Sequence, residues 1–143
     1  MSSVPFHYVD LRTFCYATED VARVERGLRT FLPEDATIER VETEGHHGDR
    51  ILVLSTRLER ADEVRHVLSK VASLEAGARD RLLEELDERI DENCSFFLTL
   101  SKQAAFEGQV ERGDGITLRG KVEAYPAEKE RAIEHVRETF QDL

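Results

Sequence analysis

No apolar run in this 143-residue sequence approaches the ~20 residues that a membrane-spanning helix needs, so no membrane role is expected. The opening MSSVPFHYVD has neither a charged leader nor an apolar stretch of the secretory type, and a cytoplasmic location is expected. There are only two cysteines, Cys15 and Cys94, far apart and in no CxxC pattern, which is poor ground for a disulfide framework. HExxH and Cys/His ligand spacings are missing, as are GxSxG, GxGxxG and the P-loop. The chain is therefore expected to hold no metal or cofactor and not to be an enzyme.

Lysine is scarce as well. Of 20 basic residues, 16 are arginine and four are lysine (Lys70, Lys102, Lys121, Lys129), against 30 acidic residues, for a formal net charge of −10. Acid excess with few lysines suits a cytosol rich in salt, where carboxylates hold water and ions. At about 1 M salt the Debye length is roughly 3 Å, and their mutual repulsion largely vanishes. In dilute buffer this charge would argue against nucleic acid, because phosphate contacts dominate affinity there. In molar salt it is screened, and stacking and short-range hydrogen bonds must carry recognition.

What is present is periodicity along most of the chain. Phe6 to Ala17 alternates as a strand, with Val9, Leu11, Thr13 and Cys15 on one side and Tyr8, Asp10, Arg12, Phe14 and Tyr16 on the other. Thr18 is placed to cap a helix reaching about Leu32, in which Gly27 is explained only by close packing. Thr37 to Thr43 and Arg50 to Glu59 read as two further strands. Ala61 to Leu74 and Arg79 to about Asp91 read as helices, Cys94 to Ser101 and Ile116 to Tyr125 as strands, and Pro126 opens a last helix. Gln103 to Glu107 can add a helical turn. The predicted order is β-α-β-β-α-α-β-β-α: a single α+β domain over residues 1–143, with a mixed, mostly antiparallel sheet and helices packed on it. Tyr8, Phe14 and Tyr16 could stack bases on a bare sheet, but the number of helices predicts that they are covered. The RNP1 aromatic pattern of the RRM is absent.

Two stretches carry candidate chemistry. Glu44-Gly45-His46-His47-Gly48-Asp49-Arg50 lies between two strands, where turn chemistry favours a hairpin over an anion cradle, since no helix N-terminus follows. Adjacent histidines diverge in extended chain and are awkward ligands for one metal. His66 and His135 lie off the apolar stripes of their helices and are expected to be solvated. The second stretch, Cys94 to Phe106, has no acidic residue in a chain where 30 of 143 are acidic. It brings Lys102 and Gln103 near Arg119 and Lys121 of the following strand, a possible backbone-contact patch.

The segments YVDLRTFCYAT, EGHHGDRILVLS, FFLTLSKQAAFEG and ITLRGKVEAY, in this order and spacing, resemble an archaeal RNA-binding family also described as a predicted exosome subunit, with a fold like that of ribosomal protein L5. The resemblance spans nearly the whole chain. Lys102, Gln103, Ala104 and Ala105 match the family's core after the fourth strand, and Gly48 its hairpin, where Asp49 replaces a common asparagine. It implies an α+β domain with RNA as ligand, and association with the exosome or other RNA-processing proteins. It implies no catalytic residues.

The resulting expectation is a non-catalytic RNA-binding protein. Lys102, Gln103, Arg119 and Lys121 are the primary contacts, and His46, His47 and Arg50 a second set. The alternative is a protein-interaction adaptor of an RNA-processing complex without direct RNA contact. The oligomeric state is not legible. Salt adaptation makes its own prediction: the melting temperature, followed by circular dichroism, rises steeply as KCl goes from about 0.2 M to 3 M. A flat curve would mark an ordinary acidic domain.

Overall fold

The alternation in the first strand is realised as β1 (Phe6–Cys15) at the centre of the fold. The structure is a computed structural model that describes residues 4–143. Following β1 are α1 (Val21–Arg29), β2 (Glu39–Glu44), β3 (Arg50–Leu58), α2 (Ala61–Ala72), α3 (Ala76–Glu84) and α4 (Leu86–Arg89). The chain then adds β4 (Ser95–Ser101), α5 (Lys102–Phe106), β5 (Gly115–Val122) and α6 (Lys129–Asp142). The five strands form one sheet in the order β2-β3-β1-β5-β4, and every neighbouring pair is antiparallel. The α+β class read from the sequence is the class observed, with the sheet antiparallel throughout rather than mixed.

The element order is richer than predicted, and each difference has a local cause. The helix expected over 79–91 divides at Glu85, whose backbone leaves the helical region (φ −91°, ψ 3°) while its carboxylate takes a 2.6 Å hydrogen bond from Arg112. Asp20, not Thr18, caps α1, accepting from the Ala22 amide at 3.1 Å. The turn after the fourth strand is the short helix α5, capped by the Ser101 hydroxyl on the Ala104 amide at 3.0 Å.

One side of the sheet is buried. Val9, Leu11, Thr13 and Cys15 of β1 share it with Leu54, Thr56 and Leu58 of β3, Ile116, Leu118 and Val122 of β5, and Phe96, Leu98 and Leu100 of β4. The helices supply Val24 and Leu28 from α1, Val64, Val67, Leu68 and Val71 from α2, and Ala132, Val136 and Phe140 from α6. Each fully buried large apolar side chain contributes about 1.5–3 kcal/mol. Phe6, Phe96 and Phe140 form an aromatic chain with ring centroids 6.4 and 6.2 Å apart. The two buried threonines are satisfied: Thr13 donates to the Gly115 carbonyl and Thr56 to the Thr37 carbonyl, both at 2.7 Å.

Gly27 has the packing role the sequence left open. A Cβ there would stand 3.3 Å from the Phe106 ring and 3.6 Å from the Ala105 Cβ, so α1 and α5 approach through this notch. Gly120 is tighter still, because Phe6 lies over it and a Cβ would meet the ring at 2.6 Å. Gly120→Ala is therefore expected to lower the urea-unfolding free energy by about 1–3 kcal/mol, the usual range for overpacking a well-filled core. A gain in stability would mean that the Phe6 ring moves freely.

Candidate nucleic-acid interface

The other side of the sheet is open. Antiparallel register places the alternate residues in rows across the strands. One row runs Arg57, Asp10, Arg119, Phe97; the next runs Glu39, Ser55, Arg12, Thr117, Thr99; a third brings Val41 and Val53 beside Phe14. Tyr8 and Lys121 pair at one end of β1. Phe14 is 37% exposed, Phe97 37%, Tyr16 50% and Val41 56%. The expectation that the β1 aromatics lie beneath helices is corrected. The helices all use the opposite face, because only that face presents a continuous apolar surface.

Three strand aromatics of the open face each carry an arginine. The Arg57 guanidinium lies 3.9 Å from the Tyr8 ring centroid, and Arg12 and Arg119 each lie 5.7 Å from the centroids of Phe14 and Phe97. Arg57 is further fixed by a two-pronged pair with Asp10, at 2.7 and 2.9 Å, which holds the guanidinium firmly in its charged form. Within the paired rows the open face carries Arg12, Arg57, Arg119 and Lys121 against Asp10 and Glu39, a local charge of +2 on a chain of −10, so the remainder of the molecule carries −12. An open depression of about 740 Å³ lies at its middle, lined in part by Arg12, Arg57 and Arg119 and by the acids Asp10, Glu39 and Glu59.

The residues singled out from sequence are not gathered into one patch. Ser95 pairs with Lys121 and Ser101 with Gly115, so Lys102 and Lys121 sit about 20 Å apart along the ribbon at ~3.4 Å per residue. Arg119 lies on the open face, and Lys121 beside it donates to the Asn93 carbonyl. Gln103 is exposed on α5. Lys102, only 9% exposed, turns inward: its ammonium donates to the Phe14 carbonyl at 2.6 Å and to Glu19 at 2.7 Å, and lies 5.2 Å from the Tyr16 ring. The placement of Lys102 as a surface contact is corrected accordingly. Its long stem reaches into the corner between β1 and α1, and there it meets a carboxylate that would otherwise stand unpaired.

Burial pushes the Glu19 carboxyl up, but the Lys102 ammonium and a 3.0 Å hydrogen bond from the Tyr16 amide hold it below its ordinary range. Burial, reinforced by Glu19, pushes the neighbouring Cys15 thiol up, so it stays protonated and a poor nucleophile.

The EGHHGDR stretch forms the tip of the β2–β3 hairpin, as expected. Gly45 and Asp49 close it at 2.6 Å, Gly48 donates to the Gly45 carbonyl at 3.0 Å, and Gly48 has φ of +78°, which favours glycine. Those amides are committed within the turn and cannot cradle a phosphate. His46 and His47 are exposed, their rings edge to face with centroids 5.0 Å apart, and Arg50 follows at the start of β3. His66 and His135 are half-buried rather than solvated, and His135 Nδ1 lies 3.1 Å from the Glu123 carbonyl. Among the described residues no group of three or more His, Cys, Asp or Glu is placed to hold a metal ion.

A family model described as RNA binding matches residues 8–122, from the first open-face aromatic to the last residue of β5. The chain belongs to this RNA-binding family. RNA-binding protein PAB1135 of Pyrococcus abyssi is 36% identical over 142 residues, covering 92% of this chain and 92% of that protein. Among solved structures, a DUF54 protein from Methanothermobacter thermautotrophicus is 40% identical with a TM-score of 0.80, covering 94% of this chain and 98% of its own. A DUF54 protein from Archaeglobus fulgidus is 26% identical with a TM-score of 0.83, covering 94% and 99%. The RNA-binding family match thus spans the sheet apart from the first two residues of β1, and with it every open-face row.

The Lys102–Glu19 pair predicts an acid-sensitive corner. Its contribution is complete above the unfolded carboxylate pKa of about 4.3 and is lost as pH falls through the lower folded value. In urea titrations, Glu19→Gln is expected to be clearly less stable than the parent at pH 7, with the gap closing towards pH 3. A gap that is constant with pH would remove the pair from the stability balance.

Proposed function

We propose that this member of the RNA-binding family is a non-catalytic protein that holds unpaired RNA across the open face of its sheet. The observation that carries the reading is the combination on one bare surface of three aromatic rings, each attended by a guanidinium, within the basic rows of an otherwise acidic chain. Aromatic rings take the faces of splayed bases, while arginine can stack or meet a phosphate. Unpaired RNA fits this face better than duplex. Duplex RNA is read by shape across two minor grooves, whereas a sheet with in-plane aromatics offers sites for separated bases.

On this reading Arg119 and Lys121 remain direct contacts, and Tyr8, Phe14, Phe97, Arg12 and Arg57 join them. Lys102 supports the face from beneath, through the Phe14 carbonyl. Gln103, His46, His47 and Arg50 are proposed as peripheral contacts near the Phe14 end. An accessory role to the exosome and kinship with ribosomal protein L5 rest only on the sequence resemblance and belong to this proposal in that form. The adaptor reading draws on the acid-rich remainder of the surface; partners that survive RNase treatment would favour it.

The test is fluorescence anisotropy with a labelled oligouridine between about 0.2 M and 3 M KCl, folding being followed in parallel. Tyr8→Ala and Phe97→Ala should each weaken binding about tenfold or more, since a stacked base is worth about 1–3 kcal/mol. Arg131→Ala, on α6, should leave affinity unchanged. Equal affinities for the parent and both aromatic variants would refute the open-face site.

A further inference from the structure

We propose that the depression at the centre of the open face selects guanine among unpaired bases, with Arg12 meeting O6 and N7 while Glu39 accepts from N1–H and the exocyclic N2 amine. This inference rests on the open-face reading above and adds a base preference to it.

Several charges on the open face differ in how they are partnered. Asp10 is saturated, because both of its oxygens accept from Arg57. Arg12 and Arg119 also line the depression, and beyond their aromatic rings their side chains take part in none of the described ion pairs or side-chain hydrogen bonds. Glu39 lines it too, exposed on β2, and its carboxylate takes part in none of the described ion pairs or side-chain hydrogen bonds. Glu59 lines the depression as well, so two guanidinium groups and two carboxylates outside the Asp10–Arg57 pair share a single concave surface, and of these two acids only Glu39 stands in the row of Arg12. In a chain with 30 acids and 20 bases, an acid at the edge of an RNA-binding surface weakens phosphate contact unless it reads a hydrogen-bond donor.

Spacing narrows the choice. Glu39 pairs with Ser55, and Ser55 with Arg12, so all three side chains lie in one row on one face. Two strand spacings put the Glu39 and Arg12 backbones about 10 Å apart. A purine laid between their side chains would present one edge to the cation and another to the carboxylate. Guanine alone pairs two acceptors, O6 and N7, with two donors, N1–H and N2–H₂, on the adjoining edge. Adenine would turn its N6 donor towards arginine and the N1 lone pair towards the carboxylate, which is repulsive at both ends. Uracil has one donor and cytosine no donor pair of this kind. The Watson–Crick edge that Glu39 needs is free only in unpaired RNA. Phe14, beside Arg12, offers a ring for the base or its neighbour.

The test uses the full chain and labelled heptaribonucleotides: oligouridine, and the same strand with a central guanine, adenine or inosine. The guanine strand is expected to bind about tenfold or more tightly than the adenine strand, matching one good bidentate contact. Inosine, which keeps O6, N7 and N1–H but lacks the N2 amine, should fall between them. In Glu39→Ala, folded by circular dichroism, the guanine-to-adenine ratio should drop to near one. Equal binding of guanine and adenine strands by a protein that holds oligouridine would overturn the guanine site while leaving the open face intact, with Glu39 then only a guard on the exposed strand edge. A guanine preference that survives Glu39→Ala would overturn the role of Glu39. Failure of a folded protein to bind any of the four strands would remove the open-face reading, and this inference with it.

Discussion

The register of β1 against β3 and β5 is the constraint on which the molecule depends. Side chains alternate along a strand, so one residue of slip would bury Asp10, Arg12 and Phe14 and expose Val9, Leu11 and Cys15. Nothing of the sort is tolerable at the helix side, where apolar residues from α1, α2 and α6 already fill the space. The core thereby fixes which residues face water, although no open-face side chain contributes much to it. The same antiparallel pairing that buries Leu11 between Thr56 and Leu118 sets Arg12 between Ser55 and Thr117.

The strands were legible because period-two alternation is local. Tyr8 to Cys15 could be divided into two faces from sequence alone, and the division is the one observed, while Phe6 joins the buried side through a register shift between Phe6 and Tyr8. Which face would be covered was not legible, since it depends on where the helices dock. Arg57 and Asp10 could not be paired from sequence either, being 47 residues apart and joined only by cross-strand register. A signal did exist: in the YVDLRTF segment an aromatic or arginine occupies three of every four alternate positions from Tyr8 to Phe14, which is costly for a face meant to be buried. The acid-free stretch has a different cause. Its lack of acids reflects a buried strand and a buried lysine, not a solvent-facing cationic patch.

Lys102 shows how one residue can serve a surface without belonging to it. Its ammonium ties the Phe14 carbonyl to Glu19, and Glu19 accepts from the Tyr16 amide, so the end of β1 and the entry to α1 are joined through one cation. Gly27 and Ala105 let α5 pack close enough against α1 for Lys102, at the start of α5, to reach that corner. A partly buried pair of this kind is costly to desolvate and destabilising to halve, which favours its retention as a unit. The Tyr16 ring lies 5.2 Å from the ammonium, and the Phe14 ring lies 6.4 Å from that of Tyr16.

The small number of cations on the open face has a thermodynamic consequence of its own. A single-stranded nucleic acid sheds condensed counterions in proportion to the phosphates a protein neutralises, with a slope of about −0.7 per contact in log K against log salt. Four basic side chains, one of them already paired with Asp10, limit that slope to about −2 to −3. In the proposed open-face binding, ion release can then supply only a minor share of the driving force. The balance has to come from desolvating ring faces, a contribution that concentrated salt strengthens rather than screens.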